Sequence, residues 1–214
     1  MPVIMSSISE IRKDYRLRQL LETDVEPNAI RQFDKWWQEA LASDISEVNA
    51  MTLATASADG VPSARIVLLK GYDEAGFVFF TNYNSFKGQQ LTENPRACLV
   101  FFWKEIERQV RITGIVDKVD DNVSEEYFNS RPEMSRISAM VSPQSQVVAD
   151  RDWLEGEVKR VIEKNRIKRP QHWGGFIVRP ITIEFWQGRS NRLHDRLQYS
   201  LDDTGAWKIE RLAP

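Results

Sequence analysis

Scarcity shapes the first reading of this sequence. The chain has one cysteine, Cys98, and two histidines, His172 and His194. A single thiol excludes an intrachain disulfide and fits a reducing, cytoplasmic setting. Two histidines far apart in sequence, with no cysteine cluster, leave no pattern for a zinc site, so no metal is expected. No apolar run approaches the roughly 20 residues needed to cross a bilayer. The opening MPVIMSS lacks the basic start and apolar stretch of a signal peptide. Excess positive charge is also missing: 29 basic residues stand against 31 acidic ones, a formal net charge of -2. That balance argues against a general nucleic-acid binder. Neither a P-loop nor a G-x-G-x-x-G motif occurs, so the standard nucleotide motifs are absent.

Aromatic residues are plentiful: seven Trp, ten Phe and five Tyr. They suit a core, a subunit interface or stacking on a planar ligand. With 214 residues, one well-cored domain covering the whole chain is expected. Residues 1–22 read as a helical N-terminal arm, with a capping box from Ser7 to Glu10 and apolar Ile8, Ile11, Tyr15 and Leu20. Pro27 suits the start of a second helix, on which Ile30, Phe33, Trp37 and Leu41 recur at helical spacing. After Asn49 come short β-branched and aromatic runs: AMTLATAS, SARIVLLKGY, GFVFFTN, RACLVFFW and RQVRITGIVDKV. ADG (58–60) and DEAG (73–76) mark hairpin turns. NSFKGQQLTENP reads as a short helix capped by Asn84 or Ser85 and stopped before Pro95. A helical block runs to about residue 167, and strands return in GGFIVRP, ITIEFWQG, NRLHDRLQYS and AWKIERL. The fold class is mainly β, a barrel with peripheral α helices.

Cations gather in WQGRSNRLHDRLQY (186–199). As a strand, residues 191–199 place Arg192, His194 and Arg196 on one face, with Leu193 and Leu197 on the other. Such a face repels itself unless an anion sits there. The alternative is a solvated edge strand paired with acids such as Asp195 or Glu184. In ARIVLLKGY, Arg65 and Lys70 stand five residues apart along an apolar strand, hence on opposite faces. NSFKGQQL opens a helix with Ser85, Lys87 and Gly88 in its first turn, either a phosphate cradle or an ordinary cap. YFNSRPEMSRIS gathers Tyr127, Arg131, Ser135 and Arg136 around a helix break at Pro132. Separate anion pockets of this kind point to small phosphorylated ligands. His194 has no identifiable Ser or Cys partner, so a nucleophilic triad is poorly supported.

At these residues the chain resembles the pyridoxine 5'-phosphate oxidase family. The resemblance runs through RIVLLK (65–70), NPRACLVFFW, ERQVRITG, YFNSRP, SPQS, HWGGF, IEFWQG, RLHDR and the final ERLAP. It implies a split β-barrel that binds FMN between the subunits of a homodimer. The implied activity is oxidation of pyridoxine 5'-phosphate or pyridoxamine 5'-phosphate to pyridoxal 5'-phosphate, with O2 as acceptor and hydrogen peroxide as product. The implied FMN contacts are Arg65, Ile66, Val67, Leu68, Leu69, Lys70, Phe80, Thr81, Lys87, Gln109, Gln144, Ser145, Trp186 and Arg196. Lys70, Tyr127, Arg131 and Ser135 would hold the substrate phosphate. Arg192 and His194 would act at the reacting end of the pyridine ring, and Arg12 and Tyr15 would close over it. Two positions depart from the family pattern: Phe86 stands where an Arg is common, and Phe80 where a Tyr is familiar. A carrier of pyridoxal 5'-phosphate or FMN without turnover is the rival function.

Overall fold

The computed structural model describes residues 14–164 and 166–214. Two compact units emerge from the chain. The central unit is Asn49–Phe101 with Ile112–Ile181; the terminal unit is the described chain up to Val48, with Phe102–Arg111 and Thr182–Pro214.

The central unit begins with β1 (Ala50–Ala56) and β2 (Pro62–Leu68), antiparallel from Ala50 against Leu68 to Ala56 against Pro62. The ADG turn joins them, with Gly60 at φ +85, a conformation glycine adopts at no steric cost. A second hairpin follows, β3 (Gly71–Asp73) with β4 (Gly76–Asn82). The apolar run predicted as one strand over 63–72 is therefore broken between Leu68 and Gly71. Next comes helix α1 of this unit (Phe86–Glu93), N-capped by Ser85, whose hydroxyl accepts from the Gly88 N–H. β5 (Arg96–Trp103) and β6 (Arg108–Lys118) lead to α2 (Asp121–Ser130), α3 (Glu133–Val141) and α4 (Arg151–Lys164). Pro132 separates α2 from α3, as the sequence predicts. GGFIVRP and ITIEFWQG prove to be one strand, β7 (Trp173–Gln187), that runs through Pro180. The sheet order is β2-β1-β5-β6-β7-β4-β3. Alternate residues of the strands fill the core, with Leu53, Phe77, Phe79, Leu99, Ile112 and Val178 fully buried.

Among its described residues the terminal unit carries the α-helix α5 (Ala29–Leu41) and strands β8 (Asp195–Leu201) and β9 (Trp207–Arg211). Asn28 caps the helix by accepting from the N–H groups of Ile30 and Arg31. Its buried stripe is Ile30, Phe33, Trp36 and Ala40, whereas Leu41 is exposed. The helical period continues from Phe33 to Trp36 at i+3, so Trp36 takes the inner place expected for Trp37. Trp36 meets Phe185 edge-on at 5.2 Å, and Phe185 meets Tyr199 at 5.3 Å. The Arg108 guanidinium lies 4.2 Å over the Trp36 ring and pairs with Glu39 at 3.0 Å. β8 pairs antiparallel with the end of β7, and β9 with β8.

The expected helical arm divides at the limit of description. Residues 1–13, with the capping box and Arg12, lie outside the described residues. Residues 14–28 carry no helix. Side-chain acceptors hold this segment instead: Glu107 Oε2 accepts from the N–H groups of Arg16 (2.9 Å) and Leu17 (3.1 Å), and Asp195 accepts from that of Leu20. Such bonds satisfy the backbone without a helical ladder.

Phe185 is fully buried between Trp36 and Tyr199. Phe185→Ala is expected to lower stability by about 3–5 kcal/mol. A urea midpoint equal to that of the parent chain would show that these rings do not form a close-packed core.

Candidate functional site

A cavity of about 650 Å³ opens in the central unit. β2 supplies Arg65, Ile66, Val67 and Leu68, the following link supplies Lys70, and the end of β4 supplies Phe80, Thr81 and Asn82. Lys87 comes from the first turn of α1, and Tyr127, Arg131, Pro132 and Ser135 come from the junction of α2 and α3. Ser138, Ala139, Ser142, Gln144 and Trp173 complete the lining. Among the described residues no Asp or Glu lines the cavity.

Arg65, Lys87 and Arg131 are met by neutral groups. Arg65 donates through Nη1 to Thr55 Oγ1 (2.6 Å) and the Leu53 carbonyl (3.2 Å), and through Nη2 to Ser63 Oγ (2.6 Å). Lys87 Nζ donates to Gln144 Oε1 (2.8 Å), Thr81 Oγ1 (3.2 Å) and Ser85 Oγ (3.3 Å). Burial, then the neighbouring Arg65 charge, brings the Lys87 ammonium down to about 8 from its ordinary 10.5. Arg131 lies with Cζ 4.7 Å from the Trp173 ring centre, and its buried Nη1 has no hydrogen-bond partner among the described residues. Pro132, just before α3, offers no side-chain cap, so the first N–H groups of that helix are not met by a capping side chain. On the aromatic side, Phe80 stacks on Tyr127 at 4.0 Å and on Trp173 at 5.6 Å. The cavity therefore offers N–H donors and positive charge to an anion, and ring faces to a planar group.

The break between β2 and β3 corrects one expectation. On a single strand Arg65 and Lys70 would point to opposite faces; with the strand ended at Leu68, both line the cavity. Leu69 turns inward and is buried, and Ser145 is exposed at φ +70 beside Gln144; neither is among the lining residues. Asn82, Ser138 and Trp173 line the cavity without having been singled out as site residues. For Ser138 a signal existed, since it stands three residues from Ser135 on the same helix.

Tyr15, Gln109, Trp186, Arg192, His194 and Arg196 belong to the terminal unit. There the predicted basic strand face does not form. Residues 190–192 make a 3-10 turn in which Asn191 (φ 56) and Arg192 (φ 60) are left-handed, and β8 begins only at Asp195. Leu193 is accordingly exposed rather than turned inward, while Leu197 is buried. Arg196 does lie on the strand, where its guanidinium binds both carboxylate oxygens of buried Glu184 (2.9 and 3.1 Å) and the Ala213 carbonyl (2.7 Å). Asp195 pairs with Arg211 at 2.8 Å. The Arg196–Glu184 pair matches the acid pairing of the alternative reading, but β8 lies between β7 and β9 and is no edge strand.

His194 is gripped from several sides. Its ring lies 4.7 Å from Trp186 and 5.9 Å from Tyr15, and Tyr15 meets Trp186 edge-on at 5.7 Å. Gly188 makes room for this: a Cβ there would come within 2.7 Å of the Tyr15 ring. The Arg189 N–H donates to His194 Nδ1 at 3.1 Å. A neutral ring with Nδ1 as acceptor carries its proton on Nε2. Burial and the Arg192 charge lower the His194 pKa, against the pull of Asp195. The ring therefore stays neutral at pH 7, and protonation, which would break the Arg189 bond, is deferred to more acid pH than 6.5.

No helix among the described residues is long and apolar enough to cross a membrane, and no group of three or more His, Cys, Asp or Glu among them could hold a metal.

Comparison with known proteins sets this geometry in a family. The profile described as "Pyridoxamine 5'-phosphate oxidase" matches residues 37–165, and that of the "Pyridoxine 5'-phosphate oxidase C-terminal dimerisation region" matches residues 173–214. The pyridoxine/pyridoxamine 5'-phosphate oxidase of Trichormus variabilis is 56% identical over 211 residues, covering 97% of this chain and 99% of the relative. That of Leptospira interrogans is 53% identical over 210 residues, covering 97% and 98%. Among solved structures, PhzG from Burkholderia lata, in complex with tetrahydrophenazine-1-carboxylic acid, superposes with a TM-score of 0.87 at 28% identity, covering 92% of this chain and 99% of that one. A pyridoxamine 5'-phosphate oxidase-related, FMN binding protein from Nostoc punctiforme gives a TM-score of 0.72 at 16% identity, covering 89% and 100%. These likenesses establish the split-barrel fold, and with it the family: the chain belongs to the pyridoxine/pyridoxamine 5'-phosphate oxidases, a family of oxidoreductases.

Proposed function

We propose that this protein is a cytoplasmic homodimer that oxidises pyridoxine 5'-phosphate and pyridoxamine 5'-phosphate to pyridoxal 5'-phosphate, using FMN and O2. The observation that carries the reading is the cavity itself: several cations, stacked rings and no lining carboxylate among the described residues. Phosphorylated planar ligands supply what that lining lacks. Its residues fit FMN, because Lys87 and Arg65 are held by neutral groups and Lys87 is under mutual repulsion with Arg65 that a phosphate would relieve. Ile66 and Leu68, 65% and 36% exposed on the edge strand β2, are apolar surface suited to cover by a second subunit. The match to the C-terminal dimerisation region supports the same assembly.

The chemistry that bound FMN supplies is two-electron oxidation at C4' of the substrate, with O2 reduced to hydrogen peroxide. The chain's own residues bind and orient. Lys87, Arg65, Thr81 and Gln144 would hold FMN from the cavity, and Gln109, Ser145, Trp186 and Arg196 complete the proposed set. Arg196 keeps N–H groups on Nη1 and Nη2 beyond those given to Glu184 and Ala213. Phe80 needs no hydroxyl for its stack on Tyr127. Phe86, exposed at the first position of α1, brings no charge beside Lys87. Lys70, Tyr127, Arg131 and Ser135 anchor the substrate phosphate, and that remote binding energy fixes the ring. His194 presents its Nε2–H as a donor to the C4' substituent. Arg192 orients that substituent and stabilises charge on it, and Tyr15, with Arg12, encloses it.

Absorption spectra taken anaerobically test this reading. The flavin bands of the holoenzyme should bleach on adding pyridoxine 5'-phosphate and recover in air with peroxide formed. A flavin that stays oxidised would refute the substrate assignment. Two variants divide the roles. Arg192→Ala should lower turnover by about a hundredfold with FMN retained, and unchanged turnover would remove it from the chemistry. Arg131→Ala should raise KM by about tenfold or more, as expected for a lost charge-assisted contact; an unaltered KM would place the phosphate elsewhere.

A further inference from the structure

Gln90 lies on α1, in the turn after Lys87, and is 3% exposed. Its Oε1 accepts from two hydroxyls, Thr55 on β1 at 2.5 Å and Ser63 on β2 at 2.7 Å. A carbonyl oxygen has no proton to give, so both hydroxyl protons point at it. The lone pairs of the same hydroxyls are then left to the Arg65 guanidinium, which donates to each at 2.6 Å. Polarity runs one way, from Arg65 through the hydroxyls to Gln90. The opposite amide orientation would give each hydroxyl two donors and leave their protons only the long Thr55–Ser63 contact at 3.4 Å. In this orientation Gln90 Nε2 is buried without a hydrogen-bond partner among the described residues. An unmet buried donor is unfavourable, so the two contacts at Oε1 are what fix this side chain.

Arg65 needs such a hold. Arginine is among the most rotamer-rich side chains, and this one is kept near a second cation, Lys87, whose charge repels it. Unanchored, it would relax toward solvent. We propose that Gln90, acting through Thr55 and Ser63, is a positioning residue that fixes the Arg65 guanidinium in the cavity as a phosphate donor. The inference rests on the cavity being the FMN site, and it adds a layer behind the contacts assigned above. One face of α1 thus presents Lys87 to the ligand, and a neighbouring position on the same helix orients the second cation.

The test is FMN binding to the apoprotein, followed by quenching of flavin fluorescence. Gln90→Leu should weaken binding by about tenfold, the effect of misplacing one charge-assisted donor. In an Arg65→Ala background the same substitution should have no further effect, because Gln90 acts only through Arg65. Additive losses would overturn the proposal. A second readout separates positioning from general destabilisation. The Lys87 ammonium is faced by the Arg65 charge and by the neutral Thr81, Ser85 and Gln144. Loss of affinity as pH rises should therefore begin at higher pH in Gln90→Leu, where the Arg65 charge has moved away. The same onset as in the parent chain would overturn the role. If Gln90→Leu does not fold, as judged by circular dichroism, Thr55→Val and Ser63→Ala take its place with the same expected non-additivity. Failure of the parent apoprotein to bind FMN would refute the cofactor reading instead.

Discussion

The structure turns on unbalanced charge in one cavity. Arg65, Lys70, Lys87 and Arg131 line a space that, among the described residues, no carboxylate lines, although the chain has 31 acidic residues. The terminal unit shows how acids are used elsewhere. There Glu39 takes Arg108, Glu184 takes Arg111 and Arg196, and Glu22 and Asp195 take Arg211. Desolvated cations are expensive unless countered. In the cavity hydroxyls, amides and ring faces meet Arg65, Lys87 and Arg131 instead, and the proposed phosphate would supply the counter-charge.

A different constraint governs the turn at residues 188–194. Two successive left-handed non-glycine residues, Asn191 and Arg192, are costly for L-amino acids. The surroundings hold them: the Arg189 N–H fixes the His194 ring, Trp186 and Tyr15 pack against it, and Gly188 admits the Tyr15 ring. The segment bearing Tyr15 is tied down by the buried carboxylate of Glu107, itself left-handed at φ 56. Strain at one turn is thus sustained by packing and by hydrogen bonds from residues distant in sequence.

Much of this was legible in the sequence. Strand-forming runs, the ADG and DEAG turns, a cap at Asn84 or Ser85 and the break at Pro132 all reflect local chemistry, so the sequence shows them. Arg65, Lys87 and Arg131 could be marked as anion-binding candidates because charge among apolar neighbours is visible in one dimension. What escaped was geometry set by tertiary contacts. Period-2 alternation cannot foresee that β2 stops at Leu68, and that stop is what brings Lys70 to the same cavity as Arg65. Nor does it reveal that residues 190–192 coil into a 3-10 turn, which places Arg192 and His194 off the strand that Arg196 occupies. Trp36 and Trp37 are adjacent and chemically identical, and only packing on Phe185 selects the former. Gln90 has no charge and sits amid polar residues, so nothing local distinguishes it.

The central claim, that these cations await a phosphate, makes a thermodynamic statement about Lys87. With its pKa brought down to about 8, the ammonium is largely deprotonated at pH 9 in the apoprotein. A phosphate beside it restores the charged form, so binding must take up a proton there. At pH 7 the group is already charged, and little uptake follows. Calorimetric titration of the apoprotein with FMN, in buffers of different ionisation enthalpy, counts these protons directly. The account predicts uptake of about one proton per FMN at pH 9 and close to none at pH 7. Tight FMN binding with no proton uptake at pH 9 would contradict it, because the phosphate would then lie away from Lys87.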